Sequence, residues 1–317
     1  MNSRFPPNIL ESRDVLSVLS RFLHPRAVSD IQDWEVRSLG MTANEFTQAA
    51  QAAGLLFPLD LKSQIEAKAT LVDLRARCKS LGIRQSGSKT EVSTRLLAAD
   101  PDGMAGVYGH EPLLGLSNAA SAAVHDWERR RNNAHEAAQA ACFASLKFGN
   151  LHASALAVAE FELFTGQSIG LWSSSSKDIG STIERLEHIF RVKPTILGNQ
   201  SEDTWSALRY AACMLALWGE TDGERWLEGT IPNGRLSAEV AVRMVLFAAS
   251  STKELSDALQ FTPNAVVSID SVRDHRTCPS CKKASRMRFA LSSVPEIPNP
   301  NCSCEDGCRC AYQFGTE

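Results

Sequence analysis

Residues 68–97, KATLVDLRARCKSLGIRQSGSKTEVSTRLL, hold two short amphipathic segments on either side of a Ser-Gly-Ser turn. Leu71, Leu74, Cys78 and Leu81 recur at spacings of three and four, which gives the first segment one apolar helical face; Val92 and Leu96 repeat the pattern in the second. Thr70 with Asp73, and Ser88 with Glu91, fit the capping box, so each helix start is marked by a side chain able to satisfy orphan amides. Gly87 permits the sharp turn between the two helices. The start of the second helix offers free N–H groups and a positive dipole end, with Lys89, Thr90 and the nearby Arg84 as further partners for a phosphate.

The charge pattern agrees. Lys68, Arg75, Arg77, Lys79, Arg84, Lys89 and Arg95 face only Asp73 and Glu91, a local excess of five positives in a chain whose net charge is -3. A basic island on an acidic body suits docking of one surface on nucleic acid, whereas a protein that coats DNA is basic throughout. Few phosphates would be neutralised, so affinity is expected to fall with salt at a log-log slope of about -0.9 per phosphate contact.

This segment resembles the SAP domain, a helix-extended-helix module of chromosomal, repair and some phage-related proteins. The residues that carry the likeness are Leu71, Leu74, Leu81, Gly82, Ile83, the Ser86-Gly87-Ser88-Lys89 turn, Glu91, Val92, Arg95 and Leu96. The resemblance implies binding to duplex DNA with little sequence preference, through Arg84, Ser86, Gly87, Ser88, Lys89, Thr90 and Arg95.

The 317 residues leave room for two or three units, and 44% apolar content is ordinary for a chain with a real core. The opening MNSRFPPNIL has no basic stretch followed by an apolar run, and the longest apolar run, around Ala211 to Trp218, is too short to cross a bilayer. A soluble protein, cytoplasmic or nucleoid-associated and without a membrane partner, is expected.

The expected class is mainly α. Residues 1–66 read as a helical platform, winged-helix-like but with no wing that the sequence marks; Thr42 with Glu45 caps a helix that Gly54 closes. Residues 67–100 form the SAP-like unit. Residues 101–117, dense in Gly and Pro, read as a linker on which that unit can swing. Residues 118–262 read as a helical interaction domain, with helices over Ala119–Leu146, His152–Phe164, Ile179–Arg191, Asp203–Trp218, Leu236–Ala249 and Lys253–Leu259. No repeat of constant period runs through it, and Trp127, Trp205, Trp218 and Trp226 are expected to pack in its helices. Its expected partner is another protein or a second copy of the chain.

Residues 263–317 hold six of the nine cysteines and are expected to form a zinc-ribbon-like module. Cys278 and Cys281 make a CxxC knuckle, and a second group follows after a spacer close to that of zinc sites. The expected ligands are Cys278, Cys281, Cys302 and Cys308, with Cys304 or Cys310 as substitutes and His275 as an outside candidate. An all-cysteine site of this kind is structural and not catalytic. The second half departs from a standard ribbon, because CSC and CRC are C-x-C pairs. Cys278-Pro279-Ser280-Cys281 and Pro300-Asn301-Cys302-Ser303-Cys304 also resemble the end of phage head-morphogenesis (minor capsid) proteins. Arg273, Arg276, Lys282, Lys283, Arg286 and Arg288 surround the first knuckle and suggest a second nucleic-acid contact.

Catalytic motifs are weak. Gly166-Gln167-Ser168-Ile169-Gly170 fits GxSxG, but a helical pattern and not a strand precedes it. His135-Glu136 begins HExxH, yet Gln139 stands at the second ligand position. Asp60, Glu66 and Lys68 share residue types with metal-dependent nucleases but lie beside a helix leading into the SAP-like unit. No phosphate-cradling GxxxxGK[ST] loop and no GxGxxG fingerprint occur. The expectation is therefore a DNA-binding accessory protein with structural zinc and not an enzyme. A divergent nuclease and a phage-type assembly protein are the alternatives.

Overall fold

A computed structural model of the chain describes residues 5, 8–170, 178–219, 223–227 and 236–315. The chain is mainly helical, with 64% of the described residues in helices, and divides into two compact units, Met1–Asn133 and Ala134–Glu317. No helix among the described residues is long and apolar enough to cross a membrane.

The first unit begins with α1 (Arg13–Leu19), β1 (Arg26–Ala27), α2 (Asp33–Val36) and α3 (Ala43–Ala52), followed by β2 (Leu56–Pro58). Four helices come next: α4 (Leu61–Lys68), α5 (Leu71–Ser80), α6 (Lys89–Ala99) and α7 (Pro101–Tyr108). The chain then returns as β3 (Leu113–Leu116), and α8 (Asn118–Lys147) runs on across the boundary of the unit. The small sheet has the order β1-β3-β2 and is antiparallel, with Leu56 opposite Leu116 and Arg26 opposite Leu114. Val15, Leu16, Leu19, Phe22, Phe46, Leu56, Leu114 and Trp127 bury one core between the helices and this sheet. Thr42 caps α3 as its sequence indicates: Thr42 Oγ1 accepts from the Glu45 amide at 3.3 Å, and Glu45 Oε2 accepts from the Thr42 amide at 3.0 Å.

The connection between β2 and β3 is not a short hairpin but holds α4, α5, α6 and α7. Those helices have their own core: Ile65, Leu74, Cys78, Val92, Leu96 and Met104 are all fully buried. Of the apolar stripe read from the sequence, Leu81 is the exception, 43% exposed, because α5 ends there. The Ile83 amide donates to the Cys78 carbonyl at 2.9 Å and the Gly82 amide to the Lys79 carbonyl at 3.2 Å, a Schellman closure that needs Gly82 at φ 68°.

Residues 101–117 are not the expected linker. Asp100 Oδ1 accepts from the Gly103 amide at 3.0 Å and Pro101 occupies the first turn, so the residues that suggested a break begin α7. Met104 joins the hairpin core, and β3 is the central strand of the sheet. Lys68 Nζ donates to the carbonyls of Tyr108 (2.9 Å) and Glu111 (2.8 Å), and the Leu59 amide donates to the Leu113 carbonyl at 2.8 Å. The helices between β2 and β3 are therefore held at both ends and are not carried on a tether.

The second unit packs the rest of α8 with α9 (Leu151–Thr165), α10 (Ile179–Arg191), α11 (Glu202–Trp218) and α12 (Ala238–Phe261). The two helices expected over 236–259 are one, because Ser250, Ser251 and Thr252 continue the helix, with Ser251 buried against its neighbours. Trp205 and Trp218 are buried with Leu186, Ile189, Leu208 and Val245, and Trp226 packs half-buried against them. Beyond α12 come β4 (Val266–Ser271), α13 (Pro279–Ala284), β5 (Arg288–Ala290) and β6 (Cys310–Gly315), forming an antiparallel sheet of order β5-β4-β6.

Met104→Ala tests the place of α7. In a core it should cost about 2–5 kcal/mol in denaturant unfolding, whereas in a tether it would cost less than about 0.5 kcal/mol.

Candidate nucleic-acid interface and metal centre

The turn between α5 and α6 is set by its caps. Ser88 Oγ accepts from the Glu91 amide at 3.3 Å and Glu91 Oε2 accepts from the Ser88 amide at 2.8 Å. That amide, then the Ser88 hydroxyl and the charges of Arg95 and Arg84, hold the Glu91 carboxyl below its usual range. The amides of Lys89 and Thr90 meet no acceptor among the described residues, as expected of a helix start. Arg84 Nε donates to Ser86 Oγ at 2.7 Å. The Arg95 guanidinium donates to the carbonyls of Arg84 and Ser86, and Arg75 Nη2 donates to the Gly87 carbonyl at 3.4 Å.

Gly87 has φ 123°, and a Cβ there would lie 2.5 Å from Glu91 Oε2 and 2.8 Å from Arg95 Nη2. The turn is thus closed around its glycine by two charged side chains.

Arg84, Ser86, Gly87, Thr90, Glu91, Thr94 and Arg95 line an open cleft. The sequence-predicted residues Arg84, Ser86, Gly87, Ser88, Lys89 and Thr90 come together at this turn, with Lys89 and Arg95 half-buried and the others exposed. Arg95 holds the turn from within, through its two carbonyl bonds. Thr94 was not anticipated; its one signal is the spacing of four from Thr90, whose carbonyl accepts its hydroxyl at 2.8 Å. Arg77, counted in the basic island, is committed to Asp100 at 2.7 Å.

The six C-terminal cysteines are buried and fall into two groups. The Sγ atoms of Cys278, Cys281, Cys302 and Cys304 all lie within 4.8 Å of one another, and so do those of Cys281, Cys308 and Cys310. Cys304, and not the expected Cys308, therefore completes the first quartet, because the C-x-C pair Cys302-Ser303-Cys304 returns both sulfurs to the knuckle. Exposed His275 belongs to neither group. A tetrahedral zinc with bonds of about 2.3 Å sets its sulfurs roughly 3.8 Å apart, and the Cys278 and Cys302 sulfurs lie 4.0 Å apart. Backbone amides point at these sulfurs: Ser303 to Cys278 (3.4 Å), Cys304 to Cys302 (3.4 Å) and Cys278 to Cys304 (3.3 Å). Buried sulfurs within a few ångströms of each other, three of the four receiving a backbone amide, fit a metal-thiolate site.

Local structure places these groups. Cys278 is the N-cap of α13 and Pro279 its first residue, which brings Cys281 round on the first turn. Gly307 has φ 80°, and a Cβ there would meet Val240 Cγ1 at 2.7 Å and Met244 Cε at 2.8 Å, so the cysteine loop lies directly on α12. Arg309 grips Asp274 with two bonds of 2.7 and 2.9 Å, and Arg276 reaches Asp306 at 2.8 Å. Arg309 and then Thr277 hold the Asp274 carboxyl well below the carboxylate range. Arg276 is thus engaged with carboxylates, whereas Arg273, Lys282, Lys283, Arg286 and Arg288 are exposed.

The dismissed motifs have structural uses. Gly166, at φ 70°, caps α9, and the Ile169 amide donates to Glu162 Oε1 at 2.8 Å, so the GxSxG segment is a helix exit. Burial raises the Glu162 carboxyl above its usual range. His135 packs on the rings of Phe161 and Trp218, each at 5.1 Å. Asp60 caps α4 through the Ser63 amide at 2.7 Å.

Compared with protein-family models, curated proteins and solved structures, the chain matches none.

Cys278→Ser should lower the metal content of the purified protein and reduce Tm by on the order of 10 °C, since a structural metal contributes folding free energy. Metal analysis beside a thermal scan reads both, and unchanged metal content contradicts the assignment.

Proposed function

We propose that this chain is an accessory protein that docks on duplex DNA through the α5–α6 turn and recruits a protein partner. Structural zinc holds its C-terminal module. The observation that carries the reading is the juxtaposition at one open turn of two amides without acceptors, Lys89 and Thr90, with the exposed side chains of Arg84, Ser86 and Thr90. A phosphate oxygen accepts from such amides at a helix start, and lysine and arginine add charge and counterion release.

Each residue then has a distinct task. Lys89 and Thr90 supply backbone donors, Arg84 and the Lys89 side chain supply charge, and Ser86 and Ser88 supply hydroxyls near the backbone of the nucleic acid. Gly87 lets the turn close, and Arg95 positions it. None of these contacts reads a base edge, which is the physical content of weak sequence preference. The Glu91 carboxylate and the acidic remainder of the chain keep the affinity modest, so a partner or a second contact must complete binding. The exposed cations of the α13–β5 region, Lys282, Lys283, Arg286 and Arg288, suit that second contact. For a protein partner, the supporting feature is apolar surface: Phe148 is 89% exposed and Phe261 73%.

Two of the three residues behind the nuclease alternative, Asp60, Glu66 and Lys68, have structural partners, which favours the docking reading. Asp60 is spent on a helix cap, and Lys68 on the carbonyls of Tyr108 and Glu111.

The double substitution Arg84→Ala/Lys89→Ala is expected to weaken duplex binding by about tenfold or more near physiological salt. It should also flatten the log-log salt dependence by roughly 1–2, with an unchanged far-ultraviolet circular dichroism spectrum. Equal affinity of the double variant and the parent would remove the turn from the interface.

A further inference from the structure

The geometry points to a second metal ion in the cysteine centre, bound by Cys281, Cys308 and Cys310, with the Cys281 thiolate bridging it to the ion held by Cys278, Cys281, Cys302 and Cys304. This inference is independent of the DNA reading, because it concerns the metal count of the chain alone.

Cys281 belongs to both groups, so its sulfur lies within 4.8 Å of all five others. A terminal ligand of a single four-cysteine site has three sulfur neighbours at such distances, whereas a sulfur between two ions has neighbours on both sides. A thiolate carries lone pairs enough for two metals, and thiolates suit soft or borderline ions such as zinc.

Cys308 and Cys310 are the sulfurs that a single ion leaves over. They are 0% and 7% exposed, so neither is a surface thiol. Cys308 is provided for in the same way as the sulfurs of the first group: the Asn299 amide points at its sulfur at 3.3 Å, while Asn299 Nδ2 lies 3.9 Å from Cys281 Sγ. The loop that delivers Cys308 is fixed on α12, with the Cys308 amide 3.3 Å from Met244 Sδ and Gly307 against Val240 and Met244. Cys310 opens β6 and is held in register opposite Ser271. Both sulfurs are thus brought to Cys281 by fixed backbone. On binding, each thiol gives up its proton and each sulfur shares a lone pair with the metal; no oxidation state changes.

The two sites are unequal. The first has four sulfurs and the second three, one of them shared, so the second ion should leave first when a chelator competes.

The test is the zinc content of the full chain, purified under reducing conditions and saturated with zinc, beside Cys310→Ser and Cys304→Ser. The expected result is two ions per parent chain, with one released early by chelator as the Cys308 and Cys310 thiols become reactive, and one ion in folded Cys310→Ser. Cadmium substitution should give two metal resonances, both coupled to the Cys281 β-protons. A parent chain that holds fewer than two ions, or a Cys308–Cys310 disulfide in the saturated protein, overturns the inference. So does a Cys310→Ser chain that retains both ions. If Cys310→Ser fails to fold, the parent count and the cadmium coupling decide on their own.

Discussion

The antiparallel pairing of β2 with β3 is the constraint on which the first unit depends. Leu56, Phe57 and Pro58 face Leu116, Gly115 and Leu114, and between these short strands the chain makes a four-helix excursion. The entropy of closing a loop grows only as the logarithm of its length, about 0.6 kcal/mol for each doubling, so a long insertion between paired strands is tolerated. What such an insertion needs is a core of its own, and Ile65, Leu74, Val92, Leu96 and Met104 provide one. With both ends fixed, the α5–α6 turn is presented from a packed base, so the proposed docking would lose less orientational freedom than that of a tethered module.

Charge in this molecule is divided between holding and reaching. Arg77, Arg276 and Arg309 each pair with a carboxylate, and Arg95 is spent on two carbonyls of the turn. Exposed single pairs contribute little free energy, but these fix where loops lie: Arg309 with Asp274 ties the chain before the CxxC knuckle to the strand that ends the cysteine loop. These paired cations are not available to another molecule, whereas Arg84 at the turn and Lys282, Lys283, Arg286 and Arg288 around α13 are exposed. A small reserve of free positive charge on an acidic chain suits contacts that are weak singly and add when linked.

Local signals were the most legible. Thr42, Thr70 and Ser88 cap the helices their patterns announce, and the edges of α9, α10 and α11 lie within a residue of the positions read from periodicity. These features are settled by a few neighbouring residues. What escaped was decided by distant partners. Residues 101–117 look like a linker because glycine and proline are plentiful, yet Asp100 makes Pro101 a helix start and pairing makes Leu113–Leu116 a central strand. The grouping of six cysteines is beyond spacing rules, since a C-x-C pair can send its sulfurs to one ion or to two. The turn residues Arg84 to Thr90 were legible as a cluster, but the carbonyl bonds that make Arg95 a positioning residue arise only on folding.

Hydrogen exchange at the turn is the most direct test of the central claim. With duplex DNA at low salt, exchange of the amides of Ser86 to Glu91 should slow relative to the free protein, and the protection should vanish at high salt. Protection elsewhere with none at this turn, or protection there that salt does not alter, would contradict docking on phosphates through the start of α6.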